Sequence, residues 1–169
     1  CNSLGLHMLG AEPLQQAFEL VEQGDADTVI VVENDLYRRA GRTKVDRFLD
    51  AVAGKLTVVD HLMHETAQRA QHVLPAATFA ETDGTLVNNE GRAQVFNQVF
   101  EAKGDIEESW RWLRDAGNAA GHDDLVFMSL AGVHRALAAA HPVFDLSREE
   151  PEATLRYAKD RVPRASHRY

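Results

Sequence analysis

Thr28-Val29-Ile30-Val31-Val32 is an uninterrupted run of β-branched residues that stops on Glu33-Asn34-Asp35. A strand with one face in water alternates apolar and polar residues. A run without alternation predicts a strand covered on both faces, as in a parallel sheet. The residues before it agree. Leu14, Ala17, Phe18 and Val21 keep helical spacing behind Pro13, and Gly24 stands where such a helix stops. The order then repeats. Thr43 is placed to cap a helix carrying Val45, Phe48, Leu49 and Val52, and Gly54 ends it. Leu56-Thr57-Val58-Val59 is a second buried-type strand, and it too ends on an acid, Asp60. Helix, strand, helix, strand with short links is the unit of an α/β sheet built by right-handed crossovers. The expected fold is therefore α/β, a doubly wound, mostly parallel sheet with flanking helices. It forms one domain over residues 1–141, followed by an irregular C-terminal arm over 142–169.

Beyond the second strand the pattern shortens. Leu74-Pro75 closes an extended run, and Asp83-Gly84 and Glu90-Gly91 punctuate two short β-type stretches, Thr85 to Val87 and Ala93 to Phe96. Asp105 with Glu108 has the form of a capping box for a helix that places Ile106, Trp110 and Leu113 on a core face and closes at Gly117. Trp112, two residues from Trp110, faces elsewhere and is expected against another segment. Asp123 and Asp124 open a further helix with Val126, Leu130, Val133 and Leu137, ending before Pro142. The arm has three prolines, and between Arg156 and Tyr169 five basic residues face one acid. That is a local +4, which leaves −12 on residues 1–155.

Length and composition narrow the function. The 169 residues, 44% apolar and 26% charged, suit a single core-forming domain. Eighteen basic against 26 acidic residues give −8, which argues against nucleic acid as a partner. Cys1 is the one cysteine, so no internal disulfide, cysteine-rich zinc site or iron–sulfur cluster forms on this chain's own ligands. No run has the length of a membrane span. The opening Cys1-Asn2-Ser3 reads as a cut from a longer polypeptide rather than as an acylated terminus, since residues 2–10 are no polar tether.

In a parallel sheet, ligands sit beyond the carboxyl ends of the strands. Glu33 to Leu36 and Asp60 to His64 are the positions such a ligand would meet. No glycine-rich phosphate loop accompanies them, and Asp35 and Asp60 also read as solvated strand-end acids or helix N-caps. His61, His64 and Glu65 form an HxxHE group, short of the three or four ligands a metal needs; surface histidines are the simpler reading. Arg38, Arg39 and Arg42 around Gly41 could grip an anion or stand free in solvent. In the loop from Asn88 to Arg92, Asn and Glu can bond the local backbone, with Arg92 a natural partner for Glu90 or Glu81.

The block from Leu74 to Gln94 resembles the LP-x(5)-E-x-x-G-T-x-x-N-x-E-G-R-x-Q pattern of the molybdopterin oxidoreductase superfamily. The matching residues are Leu74, Pro75, Glu81, Gly84, Thr85, Asn88, Glu90, Gly91, Arg92 and Gln94. Asn2, Gly5 and Gly10 are similar to the family's N-x-x-G-x(4)-G segment, and Gln71 stands where the family's stretch carries an acid. The runs 26–39, 58–81 and 108–117 resemble in particular the large iron–sulfur subunits of NADH–quinone oxidoreductase, respiratory complex I. The resemblance covers about residues 1–115. It implies a scaffold segment without chemistry of its own, in a complex that passes electrons from NADH through FMN and iron–sulfur clusters to quinone, coupled to proton translocation. The 4Fe-4S and 2Fe-2S clusters would be bound by the parent subunit outside this segment, which itself would hold no cofactor, metal or catalytic residue. Asp60, Thr66, Glu81, Asn88, Glu90 and Arg92 would line the remnant of a pterin pocket. Other peripheral-arm subunits would be its partners, on the cytoplasmic face of the inner membrane without insertion into it. The alternative is a cofactor-binding segment of a molybdopterin enzyme such as a formate dehydrogenase.

Overall fold

The structure, a computed structural model, describes residues 2–122 and 124–145. The chain divides into two compact units between Val133 and His134. The expected boundary at residue 141 falls within the second unit. Of the expected basic arm, Pro142–Phe144 forms a 3-10 turn with Phe144 buried, and residues 146–169 lie outside the described residues.

The first unit is α/β. Three parallel strands, β1 (Val29–Val32), β2 (Leu56–Asp60) and β3 (His72–Pro75), lie in the order β1-β2-β3, with Val31 beside Val58 and Val58 beside Val73. Helices α2 (Leu14–Gln23) and α3 (Arg42–Ala51) cover one face; α1 (Ser3–Met8) comes before them. Alternate strand residues Val31, Leu56 and Val58 bury themselves against Phe18 and Val21 of α2 and against Val45, Phe48 and Leu49 of α3, with Val52 just beyond it. The Phe18 and Phe48 rings meet edge to face at 4.8 Å. α3 begins at Arg42 with Gly41, not Thr43, as its cap residue. Thr43 lies inside the first turn because the chain is still extended at Gly41. Gly54, at φ 83°, takes the left-handed conformation that lets the chain leave the helix.

The two-sided covering read from the apolar runs holds for β2, where Val58 and Val59 are both sealed, but not for β1. Ile30 and Val32 on the second face of β1 are exposed, because nothing among the described residues reaches that far across the sheet.

Beyond β3, β4 (Gly84–Val87) and β5 (Ala93–Phe96) form an antiparallel hairpin. In its turn, Asn88 Oδ1 accepts from the amides of Glu90 and Arg92, each at 2.9 Å, and Gly91 sits at φ 80°. This explains the asparagine and the glycine of the 88–92 motif: one ties the turn, the other supplies a backbone angle that side chains disfavour. The N-x-x-G segment packs on the same hairpin. Asn2 Oδ1 accepts from the Val87 amide at 3.0 Å. A Cβ at Gly5 would stand 2.7 Å from Asn2 Oδ1 and 3.1 Å from Val87 Cβ. Gly5→Ala is therefore expected to push α1 off β4, costing about 1–3 kcal/mol. Faster exchange of the Val87 amide with solvent deuterium would report it.

α5 (Ser109–Ala119), with Glu108 as its cap residue, starts three residues later than the Asp105 capping box implies. The local signal loses to pairing with the sheet, since Glu107 exchanges backbone bonds with Pro75 and Ala77. The helix also runs through Gly117, where the Leu125 side chain occupies the space a Cβ would need. Its expected core face is only partly buried. Ile106 and Trp110 are half-buried and Leu113 is exposed, and the Trp110 ring lies under the guanidinium groups of Arg111 and Arg114 at 4.5 and 5.5 Å. Trp112 is the residue that docks, its indole N–H donating to the Pro75 carbonyl at 2.9 Å. α6 (Leu130–Ala140) begins well after Asp124; Val126 precedes it and is exposed, and Asp123 lies outside the described residues.

Candidate functional site

A cavity of about 350 Å³ opens where β1 and β2 end, lined by Glu33, Asn34, Asp35, Arg38, Arg39, Asp60, His61, Leu62 and His64. This is the position the parallel-sheet rule assigns to a ligand. Its construction begins with the two strand-end acids. Asp35 follows β1 and caps a 3-10 turn, Leu36–Arg38, with its side chain accepting from the Tyr37 amide at 3.3 Å. Asp60 ends β2 with a buried side chain and accepts from the Leu62 amide at 2.9 Å.

Thr66, fully buried in the short helix α4 (Glu65–Gln68), joins the two strand ends. Its hydroxyl donates to Asp35 Oδ1 at 2.8 Å and accepts from the Leu36 amide at 2.9 Å. Burial disfavours the charged form of Asp35. The hydrogen bonds from the Thr66 hydroxyl and the Tyr37 amide oppose it and hold the carboxyl below the ordinary carboxylate range.

His64 completes the junction. Its Nδ1 accepts from the Ala67 amide at 3.2 Å and so caps α4. An accepting Nδ1 carries no proton, which places the ring hydrogen on Nε2, donating to Asp60 Oδ2 at 3.1 Å. His61 Nδ1 lies 3.3 Å from the other Asp60 oxygen. Glu65, the third member of the HxxHE group, turns away and pairs in bidentate fashion with Arg42, whose guanidinium also lies over the Tyr37 ring at 4.8 Å. The Arg42 hydrogen bond lowers the Glu65 carboxyl, and Glu65 in turn raises Arg42. Among the described residues no three His, Cys, Asp or Glu side chains gather as metal ligands.

Glu33 ends β1 in a left-handed conformation, φ 48°, unusual for a residue with a side chain. Its amide donates to the Val59 carbonyl at 2.8 Å and its carboxylate accepts from the Ser109 hydroxyl at the start of α5. Arg39 is tied to Asn34 at 2.8 Å, and Arg38 is a mostly exposed companion of Asp35 at 3.7 Å.

Of the six residues expected to line one pocket, Asp60 is a lining residue and Thr66 is not, lying buried behind the cavity where it bonds Asp35. Glu81, Asn88, Glu90 and Arg92 are not among the lining residues. Glu81 does not meet Arg92. It accepts from the Thr78 amide and hydroxyl at 3.0 and 2.9 Å, bonds that lower its carboxyl. Glu90 and Arg92 stand exposed at the hairpin tip. The cavity thus gathers three carboxyl groups with two arginines at the rim, most of them engaged with neighbours.

Residues 5–118 match the molybdopterin oxidoreductase family. Over 99% of its length the chain is 43% identical to the G subunit of NADH-quinone oxidoreductase from Yersinia pestis and 45% identical to that from Shewanella oneidensis. It is 41% identical to the Salmonella typhimurium counterpart. The chain spans about a fifth of the length of these curated relatives.

Proposed function

The chain belongs to the molybdopterin oxidoreductase family, and from that premise we propose that it is a non-catalytic scaffold segment of the G subunit of an NADH-quinone oxidoreductase. The parent complex would oxidise NADH and reduce quinone, with FMN and with iron–sulfur clusters bound outside this segment, and would couple the transfer to proton translocation. The segment contributes a rigid α/β body that holds the parent subunit against its neighbours in the peripheral arm. No helix among the described residues is long and apolar enough to cross a membrane. Attachment on the cytoplasmic face would come through those neighbours.

The observation that carries this reading is the state of the strand-end cavity, where the family's pterin cofactor would be expected. The residues present do not fit that group. A diphosphate-linked cofactor needs backbone amides presented by a glycine-rich loop, or free cations. At these strand ends the backbone with positive φ belongs to Glu33, a residue with a side chain, whose carboxylate accepts from Ser109. Glu33, Asp35 and Asp60 bring negative charge to the cavity. Most polar atoms that could read a ligand are spent on one another: Asp35 on Thr66 and Tyr37, Asp60 on Leu62 and His64, Arg39 on Asn34, which leaves the mostly exposed Arg38 as the one loosely held cation of the lining.

Metal and pterin analysis of the purified full-length parent protein tests the reading. Molybdenum and pterin well below one per polypeptide are expected. A stoichiometric amount of either would instead support a cofactor-binding segment of a molybdopterin enzyme such as a formate dehydrogenase.

A further inference from the structure

The residues that usually cap helices, Ser, Thr, Asn and Asp, offer an oxygen whose accepting power does not change near neutral pH. α4 is capped instead by a histidine. His64, with an extended backbone at the cap position, accepts from the Ala67 amide through Nδ1 at 3.2 Å. A backbone amide can only donate, so this bond exists only while Nδ1 carries no proton. Histidine is the side chain whose ring changes charge between about pH 5 and about pH 8. The cap is therefore conditional on pH, and an imidazolium in its place must turn its Nδ1–H to another acceptor.

The surroundings supply one. Asp60, at the end of β2, already accepts from Nε2 at 3.1 Å, and Asp35, after β1, holds its Oδ1 3.7 Å from Nδ1. That distance is beyond a hydrogen bond but within a small shift of the ring. The other charged groups nearby leave both places open. Arg38 faces the other Asp35 oxygen, and His61 faces the other Asp60 oxygen. Glu65, on α4 itself, is paired with Arg42 of α3, and Glu33 is bonded to Ser109. The His64 side chain is only 12% exposed, so water offers its Nδ1–H little, while each N–H of a charged ring has a carboxylate to meet.

We propose that His64 is a proton-operated latch between the two strand ends. Neutral, it holds the first turn of α4 closed; protonated, it releases Ala67 and bridges Asp60 and Asp35. The turn it releases carries Thr66, whose hydroxyl joins Asp35 to the Leu36 amide, and Glu65, which ties α4 to α3. Proton uptake at one ring thus slackens the start of α4 and moves a side chain of the cavity wall towards the end of β1. The latch lies within this chain and operates whether or not the segment is a scaffold.

The test is deuterium exchange of the full-length parent subunit at about pH 8 and about pH 5. It is read residue by residue as protection relative to an unstructured chain, which removes the pH dependence of exchange itself. Protection of the Ala67 amide is expected to fall about tenfold or more at the lower pH, with a smaller change at Val58 and Val59, which pair with both neighbouring strands. His64→Asn keeps an accepting oxygen at the cap and does not titrate, so it is expected to hold Ala67 protected at both pH values. His61→Asn is expected to leave the loss in place. The proposal is overturned if Ala67 in the unsubstituted subunit loses less than about tenfold, or if Val58 and Val59 lose as much. It is equally overturned by a loss that persists in His64→Asn or vanishes in His61→Asn. The comparison of Ala67 with β2 needs no variant and decides the matter if neither substituted chain folds.

Discussion

Phe48→Ala is expected to lower the stability of the chain by about 3–5 kcal/mol, the range for removing a buried aromatic ring. Phe48 belongs to the cluster that joins the helix layer to the sheet. It lies in α3, meets the Phe18 ring of α2 edge to face, and belongs to the cluster that seals Val31 and Val58 of the sheet. Its loss leaves a cavity at the point where two helices and two strands converge. The surrounding residues are held by regular backbone hydrogen bonding and have little freedom to close it. Against a typical total of about 5–15 kcal/mol, the change would leave a marginally folded chain. A drop in the denaturant midpoint with an unchanged slope would show it, and a loss below about 1 kcal/mol would mean that the helices do not share one core.

Thr66→Val is the second large effect, and it bears on the cavity. Valine keeps the shape of threonine and removes its hydroxyl, which leaves the Leu36 amide without an acceptor and Asp35 without its shortest donor. Stranding two buried groups in this way costs about 2–4 kcal/mol. The pH dependence carries a distinct signature. Asp35 is held below its ordinary value in the folded chain. It thus contributes stability that is complete above its unfolded value of about 3.9 and disappears as pH falls through the lower folded value. Without the hydroxyl, the folded value rises towards the unfolded one. Thr66→Val should therefore lose that contribution over the whole range above about pH 4, and its acid unfolding should begin at higher pH. Circular dichroism followed through an acid titration distinguishes this from a simple packing defect, which would shift stability equally at all pH values.

Much of the architecture was legible because the decisive signals are local. The two apolar runs at 28–32 and 56–59 could be read as parallel strands from their lack of alternation, and the strand-end rule then pointed to Asp35 and Asp60. The joints between elements were not legible. Thr66 looks like an ordinary helix residue until the chain brings it against Leu36, 30 residues earlier. Asn2 and Val87 are 85 residues apart, and their hydrogen bond explains a motif that spacing alone could only match. Where local signals misled, a longer-range partner had won. The Asp105 capping box gave way to Glu107 pairing with Pro75 and Ala77, and the Trp110 face gave way to the bond from Trp112 to Pro75. The Arg92 side chain was expected to fold onto Glu90 or Glu81, but Thr78, nearer in the chain, satisfies the Glu81 carboxylate, and Glu90 and Arg92 stand exposed at the hairpin tip.

The central claim is that the strand-end acids hold the fold and take no part in turnover. Asp60→Asn in the assembled parent complex tests it most directly. The substitution keeps the size of the side chain and removes the charge that His64 and His61 face. The expected result is a smaller amount of assembled complex, with NADH:quinone turnover unchanged per complex that does assemble. Full assembly with turnover abolished would contradict the account, because it would place Asp60 in the chemistry and not in the scaffold.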